Sequence, residues 1–125
     1  IPVNPPPVET EPTPAGAASL YAQQQGKLRE YIIETMREAW EFGANIATDE
    51  ALINVASRTG LNQLALLEAS RCEDNLAQLQ ANAREADDNG VIGVPSFRIG
   101  DEIFWGQDRI EFVIEKLIEL RARRI

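Results

Sequence analysis

The 125 residues predict a mostly helical α+β chain, and three observations carry that reading. Apolar residues recur three and four apart over most of the chain from Ala15 to Asn89, the spacing of one helix face. Between Gly90 and Arg109 the period changes to the alternation of a strand, and afterwards it returns to helical spacing up to the end. Ahead of these stretches, Ile1 to Pro14 holds all but one of the seven prolines and almost no periodicity. The organisation that follows is a proline-rich extended segment (1–14), a helical domain (15–89) and a C-terminal hairpin with its helix (90–125).

Composition alone makes residues 1–14 polyproline-like and poorly ordered unless docked, in the manner of a flexible linker. A short helix is expected over Ala17 to Gln25, closed by Gly26, and a second over Lys27 to Phe42 with Leu28, Tyr31, Ile32, Met36 and Ala39 on one stripe. Tyr21, Tyr31 and Trp40 fall at helical spacing, where aromatics usually belong to the core. Thr48 caps a helix that runs to about Thr59 and stops at Gly60, with Asp49 and Glu50 in its first turn. Asn62 caps the next helix, which presents Leu64 and Leu67. A longer one from about Glu73 carries Leu76, Leu79, Ala83 and Ala86 inward and ends at Asn89-Gly90.

Ser96 to Ile99 reads as a strand, Gly100-Asp101 as a tight turn, and Glu102 to Trp105 as the returning strand. Pro95 belongs at a strand entrance or edge, because proline cannot donate to a ladder, and the backbone of Val94 is then free to bind something else. Gln107 or Asp108 caps a last helix to about Arg123, whose apolar face is Ile110, Val113, Ile114 and Leu117.

The composition narrows the chemistry. A net charge of −8 argues against nucleic acid and anionic membranes as partners. No apolar run approaches the ~20 residues of a membrane span. No signal-peptide pattern opens the chain, so a cytoplasmic location is expected. The absence of histidine removes the commonest general base and most zinc geometries, and no metal site is expected. Cys72 is the one cysteine, which excludes a Cys-x-x-Cys pair, and a half-buried thiol is its default reading. The acidic pairs Glu73-Asp74 and Asp87-Asp88 fall at helix ends and suit capping and solubility.

A site can be argued only around Val94-Pro95 and Gln107-Asp108. A free backbone edge beside Pro95 suits a peptide-like ligand bound in β-fashion. The amides that open the last helix attract a carboxylate, and Asp108 accepts from an α-ammonium group. The same residues also suit a purely structural role, with Asp108 as a helix cap and Arg109 paired to a nearby carboxylate.

Gly-Val-Ile-Gly-Val-Pro-Ser-Phe (90–97) followed by Phe-Trp-Gly-Gln-Asp-Arg (104–109) resembles the C-terminal signature of the DsbA-like thioredoxin family. Within it, the chain is most similar to 2-hydroxychromene-2-carboxylate isomerases and kappa-class glutathione transferases. The resemblance implies the helical insertion, C-terminal β-hairpin and helix of a thioredoxin-like fold, over roughly Ala15 to the end, with the first βαβ unit absent. It makes Ile-Pro-Val-Asn the segment leading from the thioredoxin core into that insertion. It further implies a cis proline at Pro95, glutathione as cofactor bound by Val94, Pro95, Gln107 and Asp108, and an aromatic carboxylate as substrate. The family's catalytic serine lies in a loop that nothing here matches, so Ser19, in a helical stretch, does not inherit that role and no catalytic residue is assigned. A kappa-like transferase, a DsbA-like oxidoreductase and a non-catalytic helical interaction domain remain as alternatives. A sheet edge and a helix flank left without that unit imply self-association, as a homodimer.

Overall fold

The computed structural model describes residues 2–123. Helices α1 (Thr13–Gln24), α2 (Leu28–Trp40), α3 (Asp49–Thr59), α4 (Gln63–Arg71) and α5 (Glu73–Asp88) precede strands β1 (Ser96–Ile99) and β2 (Glu102–Trp105). A single 3-10 turn (Gln107–Arg109) then leads into α6 (Ile110–Arg123). The chain divides into two compact units, Ile1–Gln80 and Ala81–Ile125, with the division falling inside α5.

In the first unit α1 packs on α4 and α2, and α3 packs on α2 and α4. Helix α1 comes close because the face it buries is alanine: Ala15, Ala18 and Ala22 meet Tyr31, Leu52, Val55, Ala56, Leu61 and Leu66 in one apolar cluster. Helix α1 also starts earlier than its periodicity suggests, at Thr13, with Pro12 as N-cap and Pro14 in the first turn, where a missing N–H costs nothing. The Tyr31 hydroxyl donates to the Ala15 carbonyl at 2.7 Å, and burial pushes its pKa up to about 12.

Local signals place the next boundaries where the sequence puts them. Thr48 accepts from the Ala51 amide, Asn62 accepts from the Ala65 amide, and Gly60 ends α3 in the left-handed region at φ 74°. Lys27 crosses to donate to the Thr59 carbonyl at 2.9 Å, which satisfies one of the orphan acceptors at that helix end.

The buried face of α2 differs from the expected stripe. Tyr31, Thr35, Glu38 and Ala39 are buried, whereas Ile32, Ile33, Met36 and Trp40 stay roughly half exposed. The helix is turned by about one residue because Glu38 finds partners inside: Arg58 at 2.5 Å and Asn54 at 3.0 Å. Arg58 also meets Glu34 at 2.7 Å, and that guanidinium holds the Glu34 carboxyl below its ordinary range. In α4 Leu66, Ala69 and Ser70 are buried and Leu67 is partly buried against the cluster, while Leu64 is exposed. In α5 Ala83 is exposed, while Leu76, Leu79 and Ala86 are half-buried.

The proline-rich segment is docked near its start, at residues 2–4. The Asn4 amide donates to the Trp40 carbonyl and its side chain to the Glu41 carbonyl, both acceptors at the end of α2. Pro2 and Val3 then border a hollow of about 200 Å³ together with Met36 and Trp40.

In the second unit β1 and β2 pair antiparallel, with Ser96 opposite Trp105 and Phe97 opposite Phe104, and α6 packs on both strands. Of the expected apolar face of α6, Val113 alone is buried. Ile110, Ile114 and Leu117 are 43–53 % exposed. Sheet width explains the difference. Two strands lie about 4.8 Å apart, against about 10 Å for the diameter of a helix with its side chains, so the hairpin covers only part of that face.

No helix among the described residues is long and apolar enough to cross a membrane.

Candidate functional site

The geometry of the second unit is organised by its glycines. Gly90 takes φ 76° directly after α5, Gly100 takes φ 60° in the hairpin turn, and Gly106 takes φ 99° where β2 leaves the sheet. Each is a conformation that L side chains rarely adopt. Together they send the chain out of α5, through a bend at Gly93-Val94-Pro95, along the hairpin and back into α6.

The Val94–Pro95 peptide bond is cis. Ser96 Oγ donates to the Gly93 carbonyl, which shapes the bend just before the strand. Val94 is 89 % exposed, and among the described residues nothing hydrogen-bonds to its amide or carbonyl. The Pro95 carbonyl accepts from the Gly106 amide at 2.8 Å, and the Gly106 carbonyl in turn accepts from the Arg109 amide at 3.1 Å. Pro95 and Gly106, eleven positions apart in sequence, thereby tie the two motifs together at the open end of the hairpin.

Val94, Pro95, Gln107 and Asp108 are all exposed around this junction. Asp108 sits in the 3-10 turn, its Oδ1 only 2.4 Å from where a Cβ on Gly106 would lie, so the carboxylate folds back over the glycine. The Arg109 guanidinium lies over the Phe112 ring, 5.5 Å from its centroid, and among the described residues no carboxylate pairs with it. The Arg109 ion pair of the purely structural alternative is therefore not the arrangement found.

Such a surface offers an unpaired stretch of backbone beside a proline, a helix start whose first amides lack intrahelical acceptors, and a carboxylate at that start. These suit a peptide-like zwitterion, with its backbone along Val94, its carboxylate at the helix start and its ammonium at Asp108. Nothing in it is a nucleophile or a proton-transfer pair.

Elsewhere, Ser19 Oγ donates to the Gly16 carbonyl within α1, and Cys72 is half-buried at the end of α4. Among the described residues no group of three or more cysteine or carboxylate side chains is placed to hold a metal ion. One participant is missing from the sequence reading. Trp105 entered the sequence reading as a strand and signature residue with no role of its own, yet its indole lies against Gly93. The signal was there in Gly93 itself, a glycine between β-branched residues with no turn to make.

The helical unit, the hairpin and the cis bond before Pro95 define a thioredoxin-type chain. The chain belongs to the DsbA-like thioredoxin domain family, whose model matches residues 1–118. The match takes in the proline-rich start as well as the part from Ala15 onward. Over 102 residues the chain is 28 % identical to a 2-hydroxychromene-2-carboxylate isomerase of Sphingobium xenophagum, covering 82 % of this chain and 52 % of that protein. The chain thus spans about half the length of this curated relative. No solved structure gave a significant match.

Proposed function

We propose that the chain is the C-terminal part of a glutathione-dependent protein resembling 2-hydroxychromene-2-carboxylate isomerase, and that it supplies one half of the glutathione site. In this reading Val94 and Pro95 shape the groove on the thiol side, while Gln107 and Asp108 hold the γ-glutamyl end. The observation that carries it is the 2.8 Å bond from the Gly106 amide to the Pro95 carbonyl, which makes the two motifs one surface. The likeness to a 2-hydroxychromene-2-carboxylate isomerase supports the choice of reaction class.

Bound glutathione would supply a thiol that adds reversibly to an aromatic carboxylate substrate and so permits rotation about the resulting single bond. The residues of this chain bind and orient the tripeptide. The Val94 backbone pairs with it, the first amides of the last helical stretch meet its α-carboxylate, and Asp108 accepts from its α-ammonium group. This reading assigns no side chain among the described residues to stabilising the thiolate. Exposed Ile110, Phe112, Ile114, Leu117 and Ile118 on α6, with the outer edges of a two-stranded sheet, support self-association as a homodimer. The compartment proposed is the cytoplasm.

Titration of isotope-labelled chain with reduced glutathione tests the site. The amide resonances of Val94, Ser96, Gln107 and Asp108 should move together at millimolar ligand. Asp108→Ala should weaken binding roughly tenfold or more, the effect of losing a hydrogen bond to a charged group. Shifts confined to residues 2–80, or an Asp108→Ala chain that binds as tightly as the parent, would remove this reading.

A further inference from the structure

The tightest approach in the second unit is one the proposed site has not yet used. Gly93, unlike Gly90, Gly100 and Gly106, has no positive φ, so its backbone conformation does not require glycine. Space does. A Cβ on Gly93 would lie 2.3 Å from Trp105 Nε1, 2.8 Å from Cε2 and 3.2 Å from Cδ1. The indole therefore rests directly on the Gly93 backbone, and Ser96 Oγ holds the Gly93 carbonyl by donating to it. Both contacts come from the last rung of the hairpin, where Ser96 and Trp105 are paired. They fix the segment whose next residue is the open Val94.

The indole is not spent on this contact. Trp105 is 52 % exposed, and among the described residues its Nε1–H has no hydrogen-bond partner. With Ile103, Phe104 and Arg109 it lines a hollow of about 220 Å³. Indole N–H is a donor only, and a donor beside an unpaired backbone segment is placed to meet the carbonyl oxygens of a peptide-like chain bound there.

We propose that Trp105 is a ligand-binding residue of this site, donating from Nε1–H to a backbone carbonyl oxygen of the peptide-like ligand that lies along Val94. The inference rests on the glutathione reading given above and adds to it a specific donor. The same contact makes Gly93 obligatory, because any side chain there would displace the indole from the ligand edge. Were the tryptophan merely a cover for the hairpin end, its N–H would stay in water whether or not ligand is present.

The test follows the indole resonances of the isotope-labelled 125-residue chain during titration with reduced glutathione. The chain has two tryptophans, Trp40 and Trp105, and Trp105→Phe assigns their signals. The Trp105 indole N–H should move in step with the Val94 and Asp108 amides, while that of Trp40 stays still. Trp105→Phe keeps an aromatic ring on Gly93 and removes the donor, so affinity should fall roughly three- to tenfold, the range for one net hydrogen bond. If the Val94 and Asp108 amides move while the Trp105 indole does not, or if Trp105→Phe binds like the parent, the inference fails and the glutathione reading survives. If neither the amides nor the indole moves, the glutathione reading fails and takes the inference with it.

Discussion

Leu66→Ala should cost about 2–5 kcal/mol of unfolding free energy, the range for deleting a buried leucine side chain and leaving part of the space empty. Leu66 is fully buried where α4 meets the alanine face of α1, in the cluster that contains Tyr31, Leu52 and Val55. Small residues on α1 leave no long side chain able to swing into the gap. A domain of this size has a total stability of roughly 4–12 kcal/mol, so the substitution removes a large share of it. Leu64→Ala is the control. That side chain is 67 % exposed two positions earlier on the same helix, and its loss should register within about 0.5 kcal/mol. Urea unfolding followed by helical circular dichroism separates them. A midpoint unchanged for Leu66→Ala would mean that α4 does not pack as described.

The second large effect is expected at Glu38. Its side chain is 5 % exposed and accepts from Arg58 and Asn54, so Glu38→Ala removes the acceptor for both. Breaking a fully buried pair costs about 3–5 kcal/mol. Arg58 is 30 % exposed and keeps Glu34, which lowers the expected loss to roughly 2–4 kcal/mol. Glu38→Gln retains an acceptor for Asn54 and should fall between the parent and the alanine variant. The loss should persist in about 1 M salt, where exposed pairs are screened within ~3 Å. A cost that vanishes in salt would place the pair at the surface.

These two residues also mark what the sequence could and could not convey. Thr48, Gly60 and Asn62 were legible because a cap or a left-handed glycine acts within its own helix end. The hairpin was legible for a similar reason: Phe97 and Ile99 alternate with polar Ser96 and Arg98 just before the Gly100-Asp101 turn. Which face α2 buries was not legible. Ile32 and Met36 make the more apolar stripe, and only the tertiary partners Arg58 and Asn54 make the Glu38 side the buried one. The same holds for the proline-rich start, whose order depends on carbonyls of Trp40 and Glu41, some 37 residues further along in sequence for Glu41. Helix α6 shows the converse. Its periodicity marks an apolar face correctly, but burial depends on what packs there, and a hairpin of two four-residue strands is too narrow.

Of the candidate site, the backbone edge and the helix start could be read from Pro95 and Gly106-Gln107-Asp108. The joining bond between Pro95 and Gly106 and the indole on Gly93 could not, because both depend on the strand register that pairs Ser96 with Trp105.

Calorimetric titration of the 125-residue chain with glutathione, beside an isomerase assay on the same sample, tests the half-site most directly. A few contacts worth about 0.5–1.5 kcal/mol net each do not offset the ~4 kcal/mol or more lost on immobilising a ligand. Turnover also needs a group that stabilises the developing thiolate. The account predicts affinity no better than millimolar and no detectable isomerisation by this chain alone. Micromolar binding, or measurable turnover, would contradict it and place a complete site within these residues.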